Sequence, residues 1–341
     1  MGKMALKTDQ IELAHGSGGR LTHELIERLF KKYLSNSYLD LLEDAAVLPE
    51  QKGRIALTTD SYVVRPIFFP GGDIGKLAIC GTVNDLSMVG ANPLYITAGY
   101  ILEEGLPYSD LEKIVSSMAE TAAAAGVKVV AGDTKVVERG SADKIFINTA
   151  GAGWLREGVD LSPRNVRPGD RILISGTIGD HGMAILSLRE GLEFGTSLVS
   201  DCAPLNGLVR AMLDRHHEIR VMRDPTRGGL ATTLIELARG SNFGFEIDET
   251  STPVNESVRA ACELLGLDPF YVANEGKLIV IASQKEAESV LATLQSHPYG
   301  REARLIGQVV ESHPRRVVLK TILGVSRIME MLVAEQLPRI C

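Results

Sequence analysis

The sequence has little that would suit a membrane, a secreted fold or a nucleic acid. Its apolar runs are shorter than the roughly 18 residues that a membrane-spanning helix needs, and its first residues, "MGKMALKTDQ", lack the apolar core of a secretory signal. Acidic residues outnumber basic ones, 43 to 36, which argues against binding to a nucleic acid. We therefore expect neither a membrane nor a nucleic acid among its partners.

Cysteines are also few and scattered. The four of them, at positions 80, 202, 262 and 341, form no C-x-x-C pair. Zinc sites usually contain such pairs, and disulfide frameworks are typical of much smaller secreted chains, so the pattern predicts a protein of the reducing cytoplasm. Cys341 is unusual because it is the last residue of the sequence, in a segment of the kind that is often mobile.

What the sequence does have is alternating helix and strand patterns over a length that suits about two domains. Residues 21–34 have helical spacing, Ser109 and Glu112 resemble a capping box, and Gly126 stands where that second helix would end. "VKVVAG", "KIFINTAGAGWL", "RILISGT" and "RVVLK" predict strands on both sides of the polar stretch 162–170. The sequence therefore predicts an α/β (α+β) protein with domains at 1–161 and 162–325 and a mobile tail at 326–341.

Carboxylates close or follow several apolar runs, the positions at which α/β folds collect their ligand sites. They are Asp44, Asp60, Asp85, Asp133 and Asp224. Aspartate is also an ordinary turn residue, and any one of these alone is more simply explained as part of a turn. Together they predict a site for Mg²⁺ and nucleotide phosphates.

The common phosphate-binding loops are missing, since the chain contains neither G-x-x-x-x-G-K-[ST] nor G-x-G-x-x-G. The loop "HGSGGR", with Gly16 and Gly18, precedes the helix at 21, and its N–H groups could cradle an anion. A glycine turn before a helix is more often only a turn.

Three further side chains are candidates for chemistry. Lys135 follows Asp133 in "GDTKVV" and could hold a phosphate or a developing oxyanion, and Glu275 in "ANEGKLIV" could act as a general base. For both, a solvated surface charge is an equally good explanation when each is judged singly. His181 in "GDHGM" is a weaker candidate, because a lone histidine in a glycine turn is more often structural.

Taken in order, the strings "HGSGGR", "TTDSYVV", "FFPGGDIGKLAICGTVNDLSMVGA", "GDTKVV", "GDHG", "RDPTRGGL", "ANEGKL" and "PRIC" resemble the HypE family of hydrogenase expression/formation proteins. The resemblance runs from about His15 to Cys341. The strings that contain aspartate are shared with the wider PurM-like superfamily, which includes aminoimidazole ribonucleotide synthetase, selenophosphate synthetase and thiamine-monophosphate kinase. That superfamily uses ATP without a Walker loop.

The resemblance implies a two-domain PurM-like fold that forms a homodimer through the sheet of its first domain. It implies ATP and Mg²⁺ as cofactors, with Asp60, Asp85 and Asp133, joined by Asp44, as metal and phosphate ligands. Asp224 and Thr226 match a glycine-rich segment near the nucleotide. The implied partners are the carbamoyltransferase HypF and the iron-carrying HypC–HypD complex.

The implied reaction is the ATP-dependent dehydration of a carboxamide on the Cys341 thiol to a thiocyanate, which supplies cyanide ligands to the iron of [NiFe]-hydrogenase. Cys341 would carry the substrate, Glu275 would be the base, and Lys135 would stabilise charge or assist deprotonation. Two alternatives remain open at this point. One is another synthetase or kinase of the superfamily, although a selenophosphate synthetase would usually place a cysteine in the loop that here reads "HGSGGR". The other is a maturation scaffold that binds ATP without turning it over.

Overall fold

A computed structural model describes residues 9–192, 198–332, 337 and 339–341. The first residues of the predicted N-terminal domain and part of the predicted tail lie outside these ranges. Within the described residues, helices and strands alternate in both halves of the chain, so the predicted α/β (α+β) class is confirmed. None of the described helices combines the length and apolar character needed to cross a membrane.

The first half of the chain forms a sheet in the order β1-β6-β4-β5, packed on helices. Its strands are β1 (Ile55–Tyr62), β2 (Phe68–Phe69), β3 (Gly72–Asp73), β4 (Ala91–Glu103), β5 (Lys128–Val137) and β6 (Ile145–Leu155), where β2 and β3 form a separate small hairpin. Its helices are α1 (Arg20–Leu25), α2 (Lys31–Leu34), α3 (Ile74–Met88) and α4 (Tyr108–Ala125). A π-helical turn, Ile26–Phe30, joins α1 to α2, so the predicted helix at 21–34 is confirmed.

Only one face of this sheet is covered. Along β1 the side chains alternate: Ile55, Leu57, Thr59 and Ser61 are exposed, while Tyr62 is buried. Helix α3 packs on the covered face and is itself buried along almost its whole length, because it also contacts the second half of the chain. The opposite face, called the open face here, has no covering element among the described residues.

The second half of the chain forms a sheet in the order β13-β12-β9-β11-β7-β10-β8. The strands are β7 (Arg171–Ile174), β8 (Ile219–Arg223), β9 (Gly244–Asp248), β10 (Ile279–Ala282), β11 (Arg304–Val310), β12 (Val317–Lys320) and β13 (Ser326–Met329). The helices are α5 (Asp180–Glu190), α6 (Asn206–Leu213), α7 (Gly229–Ser241), α8 (Glu256–Leu265) and α9 (Ala287–Gln295). The β10 side chains are buried throughout, as expected for a strand covered on both faces.

Two local predictions are wrong. Helix α4 begins at Tyr108 after Pro107, so Ser109 lies inside the first turn and makes no capping box. Gly126 does end the helix, with a φ of 71° that glycine tolerates best. Residues 326–329, which were assigned to the tail, form β13 and pair with β12. A short strand with three exposed side chains gives little periodic signal, which explains the error.

Candidate functional site

Asp60 and Asp85 face each other across the contact between β1 and α3. Thr58, Asp60 and Tyr62 share the covered face of the sheet because strand side chains alternate. Thr58 donates its hydroxyl hydrogen to Asp85 Oδ2 at 2.8 Å, and the Tyr62 hydroxyl donates to Asp60 Oδ2 at 3.3 Å. Burial and the nearby charge of Asp60 raise the pKa of Asp85 to about 6.

Asp224 and Glu275 bring two more carboxyl groups from the second half of the chain. Asp224 follows β8 directly, and burial together with the charges of Asp85 and Asp60 raises its pKa to about 7. Glu275 is only 4% exposed, and burial, the Cys202 thiol and the neighbouring carboxylates raise its pKa well above the usual range. We call these four residues, Asp60, Asp85, Asp224 and Glu275, the carboxylate cluster.

Hydrogen bonds to Asp201 hold the main chain at Glu275 in place. The N–H groups of Glu275 and Gly276 donate to the two Asp201 oxygens, each at 3.1 Å, and Lys277 Nζ lies 3.3 Å from Asp201 Oδ2. Burial acts to raise the pKa of Asp201, but Lys277 and the two N–H donors outweigh it and lower the pKa. A Cβ on Gly276 would lie 1.8 Å from the Asp201 carbonyl oxygen, so only glycine fits there.

Asn84 ties α3 to this loop. Its amide donates to the carbonyl oxygens of Ala203, at 3.1 Å, and Glu275, at 3.4 Å, and its side-chain oxygen accepts from Leu205 N at 2.7 Å. Asn84 is 1% exposed and adjacent to Asp85 in sequence. The position of Glu275 relative to Asp85 is therefore fixed by direct hydrogen bonds between the two halves of the chain.

The other predicted residues form a second group at the β5 edge of the sheet. Gly16 packs on β5 so closely that a Cβ would lie 2.4 Å from Val136 N, and Gly18 has a φ of +78°. A cavity of about 180 Å³ there is lined by Gly16, Gly18, Asp133 and Lys135, which we call the glycine-loop cluster. Lys135 Nζ lies 3.3 Å from Asp133 Oδ1, and both side chains are mainly exposed, at 65% and 71%.

Asp133 and Lys135 lie on the face of the sheet opposite to Asp60, although the cavity that they line also reaches Ala98 on the covered face. Asp60 pairs with Thr149, Thr149 with Ala98, and Ala98 with Gly132, so Gly132 is the β5 residue in the row of Asp60. Asp133 is one residue further on and belongs to the open face, with three strand spacings, or about 14 Å, between it and Asp60. The expectation that these aspartates meet at adjacent strand ends is wrong for a single chain, because Asp60 and Asp133 lie inside strands and Asp85 lies inside a helix.

Asp44 and Thr226 belong to neither the carboxylate cluster nor the glycine-loop cluster. Asp44 is exposed, two residues beyond Leu42, which lines the glycine-loop cavity. Thr226 is half-buried in the turn after Asp224, and its carbonyl oxygen accepts from Gly229 N at 2.9 Å. Among the described residues, no three His, Cys, Asp or Glu side chains are close enough together to hold a metal ion.

Asp60 and Asp85 nevertheless fit a magnesium ion that is shared with a phosphate group. Both present carboxylate oxygens, and burial together with the charge of Asp60 raises the pKa of Asp85, a cost of ionisation that a nearby cation would offset. Protein-bound Mg²⁺ commonly takes one or two carboxylates and completes its shell with water and substrate phosphates. The predicted ligands Asp44 and Asp133 are not beside this pair in one chain.

The last residues of the sequence are docked between the segment that follows β1 and helix α5. Val63, next to Tyr62, donates its N–H to the Cys341 carbonyl oxygen at 3.2 Å. His181 Nε2 lies 2.9 Å from the Ile340 carbonyl oxygen, and Ile340 is 2% exposed. Cys341 is half-buried against the apolar core that contains Cys80 and Cys202. Residues 339–341 of the predicted tail thus have a defined position against Val63 and α5, while the mobility of the tail stays a prediction.

Sequence reasoning missed several residues that shape this site. Asn84 adjoins the predicted Asp85, and Lys277 lies two residues beyond Glu275, so both could have been chosen on that ground. Tyr62 lies two residues from Asp60, but nothing in the sequence showed that its hydroxyl would donate to that carboxylate. Asp201 carried no signal, because its role depends on a contact between segments far apart in sequence. Asp201 is separated from the Glu275 N–H that it accepts from by 74 residues.

Two family models match the chain in the same order as its two sheets. The N-terminal domain of AIR synthase related proteins matches residues 42–155, and their C-terminal domain matches residues 167–320. The fold and the domain order therefore define an AIR synthase related, PurM-like protein.

Within this class the chain is similar to one group over its full length. It is 55% identical over 341 residues, all of both chains, to carbamoyl dehydratase HypE of Azotobacter vinelandii. The crystal structure of hydrogenase maturation protein HypE in complex with ATP superposes with a TM-score of 0.94 at 52% identity, covering 97% of this chain and 99% of that one. A HypE–HypF complex contains a chain with a TM-score of 0.80 at 55% identity, covering 90% and 99%. The chain belongs to the HypE family, and the predicted resemblance is confirmed.

Proposed function

We propose that this chain is an ATP-dependent carbamoyl dehydratase that acts on its own Cys341. The substrate is an S-carboxamide on that thiol, and the product is a thiocyanate that supplies cyanide ligands to the iron of [NiFe]-hydrogenase. The observation that carries the proposal is the docking of Ile340 and Cys341 on His181 and Val63, since Ser200, which bonds His181, is next to the Asp201 that holds Glu275. The relatives named carbamoyl dehydratase, and the one bound to ATP, support the same reaction.

The chemistry explains the need for ATP. Conversion of –S–C(=O)–NH₂ to –S–C≡N removes the carbonyl oxygen and two N–H protons. Transfer of the γ-phosphoryl group to that oxygen lets it leave as phosphate, so the products are the thiocyanate, ADP and phosphate. When bound, Mg²⁺ would neutralise the charge of the phosphates at Asp60 and Asp85.

Glu275 is the base in this proposal. It is buried, and its main chain is held by the Asp201 loop. Its raised pKa means that it retains a proton strongly once it has accepted one from the carboxamide nitrogen. Positive charge entering the cluster would return Glu275 to the ionised form before the reaction, since neighbouring negative charges contribute to its shift.

Lys135 takes part in the site only if a second copy of the chain is present. Within one chain it pairs with Asp133 on the open face. The open face carries exposed apolar side chains at Ile55, Leu57 and Ile101, which suit a homodimer formed by two such sheets. In this proposal, the glycine-loop cluster of one subunit, with Asp44, completes the nucleotide site of the other.

The partners we propose follow from the carrier role. HypF, which occurs in a complex with a close relative, would load the carboxamide onto Cys341. The iron-carrying HypC–HypD complex would accept the cyanide. A segment held by a few hydrogen bonds can leave its docking position for these partners and return to its own site at high effective concentration.

Intact-protein mass spectrometry tests the proposal. The chain is incubated with HypF, carbamoyl phosphate, ATP and Mg²⁺, beside a Cys341→Ala control. We expect a carbamoyl adduct that then loses one water in an ATP-dependent step, and no adduct in the control. ATP hydrolysis without an adduct on Cys341 would contradict the proposal and indicate another synthetase or kinase of the superfamily. ATP binding without hydrolysis or dehydration would indicate a scaffold.

A further inference from the structure

Helix α5 contacts the last residues of the sequence near both of its ends. His181, in its first turn, places Nε2 2.9 Å from the Ile340 carbonyl oxygen. Arg189, in its last turn, donates from Nη2 to the Arg339 carbonyl oxygen at 2.8 Å and to the Arg65 carbonyl oxygen at 2.7 Å. One rigid helix therefore binds two consecutive peptide groups of the docked segment.

The segment before α3 supplies the remaining main-chain donors. Arg65 N donates to the Arg339 carbonyl oxygen and Val63 N to the Cys341 carbonyl oxygen, each at 3.2 Å. The carbonyl groups of residues 339, 340 and 341 thus all have donors. A shift by one residue would move Cys341 by roughly 3.3 Å and misplace all three bonds, so this set fixes the register of the segment.

The hydrogen bonds around His181 define its tautomer. The Ile340 carbonyl oxygen can only accept, so Nε2 of His181 carries the hydrogen. Burial lowers the pKa of His181, which leaves the ring neutral and makes Nδ1 an acceptor for the Ser200 hydroxyl at 2.8 Å. Ser200 Oγ in turn accepts from Cys202 N at 3.1 Å. His181 is fully buried, so each ring nitrogen has the partner that burial requires.

The same short segment that orients His181 also orients Glu275. Ser200 bonds the ring of His181, and its neighbour Asp201 accepts from Glu275 N and Gly276 N. Residues 200–201 therefore connect the histidine that binds the Ile340 carbonyl group with the main chain of the proposed base. A change that loosens His181 alters the distance between the Cys341 thiol and the base without touching either of them.

From these contacts we propose that His181 and Arg189 are positioning residues that hold Cys341 in register with the carboxylate cluster. This inference rests on the proposed function for its catalytic consequence, but the docking itself can be tested alone. Each of the two residues binds a main-chain carbonyl one or two residues before Cys341.

The test compares His181→Leu, His181→Gln and Arg189→Ala with the wild-type chain and with Arg210→Ala, a change at an exposed arginine on α6. Glutamine places an N–H donor close to the position of His181 Nε2 and should rescue, whereas leucine cannot. Arg189 is at the protein surface, so its variant keeps the test valid if a change at the buried His181 impairs folding.

The first readout is the rate of alkylation of Cys341 by iodoacetamide, followed by intact mass without ATP or partners. Cys80, Cys202 and Cys262 are at most 2% exposed and serve as internal slow controls. Loss of one of these hydrogen bonds should raise the alkylation rate about three- to tenfold in His181→Leu and Arg189→Ala. His181→Gln and Arg210→Ala should stay within about twofold of wild type.

The second readout is the rate of water loss from chain already loaded with the carboxamide. It should fall about tenfold in His181→Leu and Arg189→Ala, with loading by HypF and ATP affinity unchanged. Unchanged alkylation in both variants, or faster alkylation with an unchanged rate of water loss, would overturn the inference. If loaded wild-type chain loses no water at all, the proposed function fails instead, and an unchanged alkylation pattern would still refute the docking role separately.

Discussion

The carboxylate cluster and the glycine-loop cluster use similar residues in opposite surroundings. In the first, Glu275 is buried and bonded through its main chain, and Asp85 and Asp224 have raised pKa values. In the second, Asp133 and Lys135 pair with each other in solvent. The first cluster is preorganised for chemistry within one chain, whereas the second is an incomplete surface that needs a partner or a ligand to give it a role. Residue type alone therefore does not show which carboxylates act.

The largest effect should come from the base. Glu275→Gln keeps the shape of the side chain but removes the proton acceptor, so dehydration of loaded Cys341 should slow by about 10²- to 10⁴-fold. ATP affinity, measured by calorimetry, should stay near the wild-type value. Glu288→Gln on α9, at an exposed glutamate, is the matched control. Normal dehydration in Glu275→Gln would remove Glu275 from the mechanism.

Two glycines, one next to a member of each cluster, should respond differently to substitution by alanine. Gly276→Ala places a Cβ 1.8 Å from the Asp201 carbonyl oxygen, which should cost about 1–3 kcal/mol of unfolding free energy. Gly19→Ala in the glycine loop meets nothing closer than 3.8 Å and should cost less than about 1 kcal/mol. Chemical denaturation measures both. Equal costs would mean that the loop around Glu275 is less rigid than its bonds indicate.

The proposed metal ligands should show a moderate effect. Asp85→Asn removes one of the two facing carboxylates, so the Mg²⁺ concentration for half-maximal ATP hydrolysis should rise about tenfold. Asp9→Asn, at an exposed aspartate that belongs to neither cluster, should leave it unchanged. The same Mg²⁺ dependence in all three proteins would place the ion elsewhere.

The smallest effect should come from the surface ion pair of the docked segment. Asp143 Oδ2 lies 2.9 Å from Arg339 Nη1, and both side chains are about one-third exposed. Exposed pairs of this kind contribute at most about 1 kcal/mol, so Asp143→Ala should speed alkylation of Cys341 by less than about fivefold. A larger acceleration would mean that this pair, rather than the main-chain contacts of α5, dominates docking.

The sequence was enough for the fold class and for some of the helices and strands. It could not place the clusters relative to each other, because that depends on strand register. Asp60 and Asp133 stand on opposite faces only because Gly132, and not Asp133, lies in the row of Asp60. The position of Cys341 was equally out of reach, since its donor Val63 is nearly 280 residues away in sequence.

The central claim is that each site is built from residues of two subunits, and mixing two inactive variants tests this claim most directly. Lys135→Ala and Glu275→Gln chains are co-expressed with different tags, and the mixed dimers are purified and assayed for dehydration of loaded Cys341. If Lys135 of one subunit serves Glu275 of the other, one site in each mixed dimer is intact, and activity should return to about half of the wild-type value. If the mixed dimers are as inactive as their parents, each chain would have to supply both residues to its own site, and the proposed division between the two clusters would be wrong.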